Sequence, residues 1–318
     1  MQIAINSLAK ATLTPTIASI FVLHWRKPVM RFTPLLTAAT RVLAVLALGV
    51  SAASAQITPK TIVFGVAPGP YGDLIKTAIQ PGLEKKGYKV VLKEFSDYVQ
   101  PNLALANNSI DANLFQHRLY LDKFSADKGL KLSPVINVPT AGLGIYSHKI
   151  KSLDQLKKGD IVTLANDPTN LARALRFLAK QGLLTFKKDI DPVQASEKDI
   201  EQNPLGLVFK PLEAAQLPRT LDSATASVVN GNFAIAAGLK LSDALKLEQL
   251  DENIKNLVAV KTADLDKPFV QDIKQVVESP EFLATVEDSK YIFKDFQKPE
   301  WLAAKVAKAS TPAKAVKK

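Results

Sequence analysis

The sequence has 318 residues, 47% of them hydrophobic, and a formal charge of +11, a length that supports two modest α/β lobes or one large domain. The charge is terminal: residues 1–55 carry five bases and no acid, residues 302–318 five more and no acid, and the segment between them 31 bases against 30 acids. A neutral globular part excludes the basic surface that nucleic-acid binding needs, and the lack of any cysteine excludes disulfides and thiol chemistry.

The first 55 residues read as an N-terminal extension and secretory signal, the signal proper being 30–55. Arg31 and Arg41 supply its positive start, Val42 to Val50 its apolar run, and Ala53-Ser54-Ala55 a small-residue cleavage site. The apolar run is short for a bilayer span. The expectation is an exported protein of the periplasm, released by a cleavable signal peptide and carrying no cysteine for lipidation.

From Thr61 to Val66 an apolar run reads as a strand, closed by the turn Ala67-Pro68-Gly69-Pro70, with Asp73 capping a helix from Leu74 to Lys85. A strand from Lys89 to Phe95, a helix from Val99 to Ala106, a strand from Ala112 to Phe115 and a helix from Leu119 to Lys128 follow. Strands at Leu132–Val138 and Gly142–Ser147 complete this set. The alternation points to βαβ units around a mostly parallel sheet. A second set has strands at Ile161–Leu164, Gly206–Phe209 and Ala226–Val229, with helices from Asn170 to Gln181 and Glu213 to Leu221. The strand Asn256–Val260 and the helix from Pro268 to Glu278 return to the first set. The expected division is 56–147 for the first part of lobe 1, 148–250 for lobe 2, 251–301 for the second part of lobe 1, and 302–318 for a basic, disordered tail. A ligand site is expected where strands end at the cleft between lobes.

Enzyme motifs are missing. Gly65, Gly69 and Gly72 have the wrong spacing for a dinucleotide turn, and there is no G-K-[ST], G-x-S-x-G or H-E-x-x-H. With three histidines in the chain, none paired at ligand spacing, no metal site and no cofactor is expected. The residues with chemistry to offer sit after strands instead. Tyr98 follows one strand of the first lobe; Phe115, His117 and Tyr120 crowd the end of another. In the second lobe, Asp167 before Pro168 is a helix start, and Asn170 and Arg173 share a face of that helix. With Asn166, they suit a carboxylate held by a guanidinium and amides. Spacing alone leaves open whether Arg173 is exposed on its helix, and whether Asn230 is a turn former or an amide ligand. An aromatic wall facing an Arg/Asn wall describes a site for a small zwitterion with an apolar side chain.

At these positions the sequence resembles a known family. FSDYVQPN (95–102), IDANLFQHRLYLD (110–122), ANDPTNLARAL (165–175) and EAAQLPRTLD (213–222) resemble the methionine-binding, NlpA-type substrate-binding proteins of bacterial ABC importers, over roughly residues 60–300. The resemblance implies an α/β, two-lobed periplasmic-binding-protein clamshell with the ligand cleft between the lobes. It implies a binding protein and not an enzyme, L-methionine or a related small amino acid as ligand, an inner-membrane ABC permease as partner, and a monomer. By matching motif, Tyr98, Phe115, His117 and Tyr120 would cage the thioether. Asn166, Asn170 and Arg173 would hold the carboxylate and neighbouring polar atoms, and Asn230 the amino group or carboxylate. Two departures stand out: the family's lipid-bearing cysteine is absent, and Phe233 stands where the family commonly shows a tyrosine. The alternatives are a binding protein for D-methionine, another small apolar amino acid or a short peptide, an exported hydrolase or lyase using His117 with Asp97 or Asp122, and a surface protein with no small ligand.

Overall fold

The computed structural model describes residues 60–310 apart from Pro192; the expected secretory signal and the last eight residues lie outside the described residues. In chain order the first half holds β1 (Lys60–Val66), α1 (Pro70–Leu74), a π-helical turn (Ile75–Ile79), α2 (Gln80–Lys85), β2 (Tyr88–Glu94), α3 (Gln100–Ala106), β3 (Ala112–His117), α4 (Arg118–Lys128), β4 (Leu132–Asn137), β5 (Gly144–Tyr146), β6 (Ile161–Ala165) and α5 (Pro168–Lys180). The second half holds β7 (Thr185–Phe186), β8 (Ile200–Gln202), β9 (Val208–Leu212), β10 (Ala226–Val229), α6 (Gly231–Ala236), β11 (Lys246–Leu247), β12 (Asn256–Lys261), α7 (Pro268–Val277), α8 (Pro280–Glu287) and α9 (Glu300–Ser310).

The strands form two five-stranded sheets, ordered β2-β1-β3-β12-β4 and β11-β5-β10-β6-β9, with β7 and β8 as a separate pair. The fold is mixed α/β with two lobes. β12 enters the first sheet between β3 and β4 and runs antiparallel to both, because the chain re-enters that lobe from the opposite end after building the second. The expected mostly parallel sheet is therefore mixed. β5 was expected to close the first lobe, but it pairs antiparallel with β10 and β11. The crossover thus precedes Gly144, not Ser147, since a three-residue strand follows whichever sheet offers it an edge.

Side-chain chemistry explains the other departures. The first helix starts at Pro70, whose missing N–H costs nothing there, leaving Asp73 inside the first turn. The π-helical turn sits just before Pro81, which cannot donate to the carbonyl four residues back. The segment Ala214–Thr220 is a 3₁₀ helix with Pro218 inside it, not the expected α-helix. The tail also differs. The chain from Glu300 to Ser310 is helical, Leu302 is 1% exposed in the first lobe's core, and Trp301 Nε1 donates to Asn137 O at 3.0 Å. Two apolar anchors outweigh a basic composition, so disorder does not begin at 302.

Each lobe has its own core, Ile62, Phe64, Leu114 and Val258 in the first and Val162, Leu164, Leu175 and Val228 in the second. A third cluster joins the strand ends of both: Tyr98, Phe115 and Tyr120 from the first lobe, and Tyr146, Val229 and Phe233 from the second.

Candidate functional site

Where β3 becomes α4, His117 takes extended backbone angles and its ring accepts a hydrogen bond from Tyr120 N, Nδ1 being 3.2 Å away. The imidazole is the helix cap. Its proton is thereby placed on Nε2, which faces Asn170 Oδ1 at 3.5 Å. Burial, then the nearby Arg173 guanidinium, pushes His117 well below its ordinary pKa, so the ring is neutral. All six residues of β3 are buried, and no alternation remains to mark which of them face the cleft.

The rings after β2 and β3 form one wall. Tyr98 lies 5.8 Å from Phe115 and 5.9 Å from Tyr120, centroid to centroid, and 4.9 Å from Phe233 of the other lobe. Phe233 fills, as a ring contact, the position where the family tyrosine was missed. Tyr98 Oη donates to Asn232 Oδ1 at 2.5 Å, and Asn232 Nδ2 donates to Pro68 O at 2.9 Å, so one amide from the second lobe bonds twice to the first. Burial raises the Tyr98 phenol well above its ordinary pKa and the Tyr71 phenol to about 12.

The opposite wall is built from helix starts. Asp167 caps α5, accepting from Asn170 N at 2.9 Å and from Asn170 Nδ2 at 3.0 and 3.1 Å. With its NH₂ held by that carboxylate, Asn170 turns Oδ1 into the cleft, where Asn230 Nδ2 donates to it at 3.0 Å. Asn230 Oδ1 is buried and has no partner. Arg173 is 5% exposed and meets the equally buried Glu248, with Nε at 3.1 Å from both carboxylate oxygens and Nη2 at 2.6 Å from Oε2. The open question about Arg173 is thus settled in favour of burial.

These residues line a cavity of about 20 Å³. Seven of the eight expected residues border the cavity: Tyr98, Phe115, His117, Tyr120, Asn170, Arg173 and Asn230. Asn166 does not. Its N–H continues the ladder to Leu212 O and its side chain is exposed, because the cap falls one residue later, at Asp167. Sequence reasoning missed Tyr71, Gln116, Asn232 and Asn256, which also line the cavity, and Glu248 behind Arg173. Gln116 could have been found from its place between Phe115 and His117; Asn256 and Glu248 arrive on the return segment and carry no local signal.

The carboxylates considered as partners of His117 are engaged elsewhere: Asp97 accepts from Val99 N and Gln100 N, and Asp122 pairs with Arg118. Among the described residues no group of three or more potential ligands could hold a metal.

The buried neutral His117 makes stability depend on pH. Its folded pKa lies below the unfolded value of 6.5, so the unfolded chain binds more protons between the two, and stability falls as pH drops below about 6.5 until the folded value is passed. Melting temperature recorded between about pH 8 and about pH 5 should fall toward acid, and His117→Gln should flatten that fall. An unchanged profile in the variant would remove His117 as its source.

The family profile described as NlpA lipoprotein matches residues 62–301. The chain is 38% identical over 221 residues to the probable D-methionine-binding lipoprotein MetQ of Vibrio cholerae, covering 69% of this chain and 82% of that one. Among solved structures, a nutrient-binding protein from Burkholderia cenocepacia bound to methionine is similar with a TM-score of 0.68 and 38% identity, covering 71% of this chain and 95% of that one. An ABC transporter periplasmic substrate-binding protein from Coxiella burnetii gives a TM-score of 0.69 at 36% identity, covering 74% and 99%. These names correct one expectation. A cleavable leader alone led to an unanchored periplasmic protein, whereas the family and the Vibrio relative are named as lipoproteins; the 318 residues here hold no cysteine. With a mixed α/β frame in two lobes, an aromatic and amide-lined cleft between them, and a profile match over 62–301, the chain belongs to the NlpA lipoprotein family.

Proposed function

We propose that this chain is the substrate-binding component of an ABC-type methionine importer, closing its two lobes on free methionine and delivering it to an inner-membrane permease. The observation that carries the reading is the unpartnered Asn230 Oδ1, buried in the cavity that the rings of Tyr98, Phe115, His117 and Tyr120 also line. The Asn230 amide oxygen suits an ammonium group, Arg173 suits a carboxylate, and Tyr98, Phe115, His117 and Tyr120 suit a thioether. The names of the Vibrio and Burkholderia relatives point to the same ligand.

The magnitudes assign the work. Burying a methionine side chain contributes about 1.5–3 kcal/mol and sulfur–ring contacts about 0.3–1.5 kcal/mol, whereas a nanomolar complex needs about 12 kcal/mol. The charged ends must therefore supply most of the affinity. His117, neutral and spent as a cap, serves as a wall; the reading involves no turnover.

The test is calorimetry on protein unfolded and refolded to release co-purified ligand, titrated with L-methionine and D-methionine in turn. Saturable heat with one or both, and a raised melting temperature, is the expected result. No heat and no thermal shift with either enantiomer would overturn the reading.

A further inference from the structure

We infer that Glu248 is a positioning residue that sets the charge of the cleft, making it select a zwitterion over an anion of the same shape. The inference rests on the methionine-binding reading above. Glu248 does not border the cavity; it lies behind Arg173, 5% exposed, on the segment that follows β11. It grips the Nε–Nη2 edge of the guanidinium, and Oε2 also accepts from Leu143 N at 3.2 Å. Its own carbonyl accepts from Gln297 Nε2 at 2.6 Å. Bonds from α5 and from the crossover before β5 thus hold the carboxylate, and the bond from the C-terminal segment holds the backbone that carries it.

The consequence is electrical. Arg173 is the charged side chain that borders the cavity among the described residues, and His117 beside it is neutral. Around the cavity, Arg173 and Arg176 of α5 stand against Glu248, the cap Asp167 and, on the side of Tyr120, Glu213 and Asp97. A zwitterion adds no net charge to this buried group. An acid lacking the ammonium adds one negative charge, facing Glu248 through the guanidinium and leaving Asn230 Oδ1 without a donor. With Glu248 neutralised the group loses one negative charge, and the anion's disadvantage shrinks while methionine loses the oriented guanidinium.

The experiment measures dissociation constants for methionine and for its 2-oxo analogue, 4-methylthio-2-oxobutanoate, with the wild-type chain, Glu248→Gln and Glu248→Asp. The wild type should prefer methionine, and Glu248→Gln should cut that preference by about tenfold or more. Glu248→Asp, which keeps the charge and alters the reach, should weaken both ligands yet hold the preference to within about threefold. An unchanged preference in Glu248→Gln overturns the inference, since a merely structural role would weaken both ligands alike. Should Glu248→Gln not fold, Glu248→Asp decides: a preference kept supports the inference, and a preference lost with the charge intact overturns it. If the wild type binds neither compound, the methionine reading itself falls, a result distinct from binding without discrimination.

Discussion

Arg173→Ala is expected to weaken methionine binding by about 2–5 kcal/mol, the cost of leaving a desolvated carboxylate without its partner. The same change strands Glu248, which is 5% exposed and accepts from Nε and Nη2 of Arg173. Removing one member of a buried ion pair costs about 3–5 kcal/mol of stability, so urea denaturation of the ligand-free variant should show a lowered midpoint alongside the calorimetric loss. Arg173→Lys should fall between, because an ammonium cannot reproduce the two-point grip on Glu248. A variant that lost affinity by less than about threefold would remove Arg173 from the ligand's reach. One that lost affinity at full stability would show that the Glu248 pair contributes nothing to the fold.

The second large effect is expected at Tyr98. Its ring packs on Phe115 and Tyr120 of its own lobe and on Phe233 of the other, and its hydroxyl donates to Asn232 Oδ1. Tyr98→Ala should lose about 3–5 kcal/mol of stability, as large-to-small aromatic replacements do where the surroundings cannot collapse. Tyr98→Phe keeps every ring contact and leaves the Asn232 acceptor without its donor, a cost of about 1–3 kcal/mol. Because Tyr98 joins the lobes, both variants should also bind methionine more weakly, Tyr98→Ala by more. Equal stability losses in the two would mean that the hydrogen bond, and not the ring, holds this contact.

Most of the cleft could be read from local pattern because its residues sit at strand ends. Tyr98 follows β2, Phe115 and His117 end β3, Asn170 and Arg173 open α5 after β6, and Asn230 follows β10. Each is placed by a strand-to-helix junction, where a turn or cap marks the position. Asn166 was misplaced by one step of the same logic: it neighbours the cap, but its side chain points to solvent. The crossover was misplaced because the edge that β5 joins is made by β10 and β11, some 80 to 100 residues further along the chain.

The chain by itself determined the two α/β sets, the helix cap at Asp167 and the location of rings, amides and guanidinium at strand ends, since periodicity and capping are short-range properties. Tertiary structure alone decided which of these groups meet. It brought Asn230 to Asn170 and Phe233 to Tyr98, and it seated Glu248 on Arg173. Those pairings span 60 and 75 residues at Asn230 and Arg173, and they depend on how two separately formed sheets pack at their strand ends. No local spacing encodes that, because the energy that selects it comes from burying the rings and pairing the charges of both lobes at once.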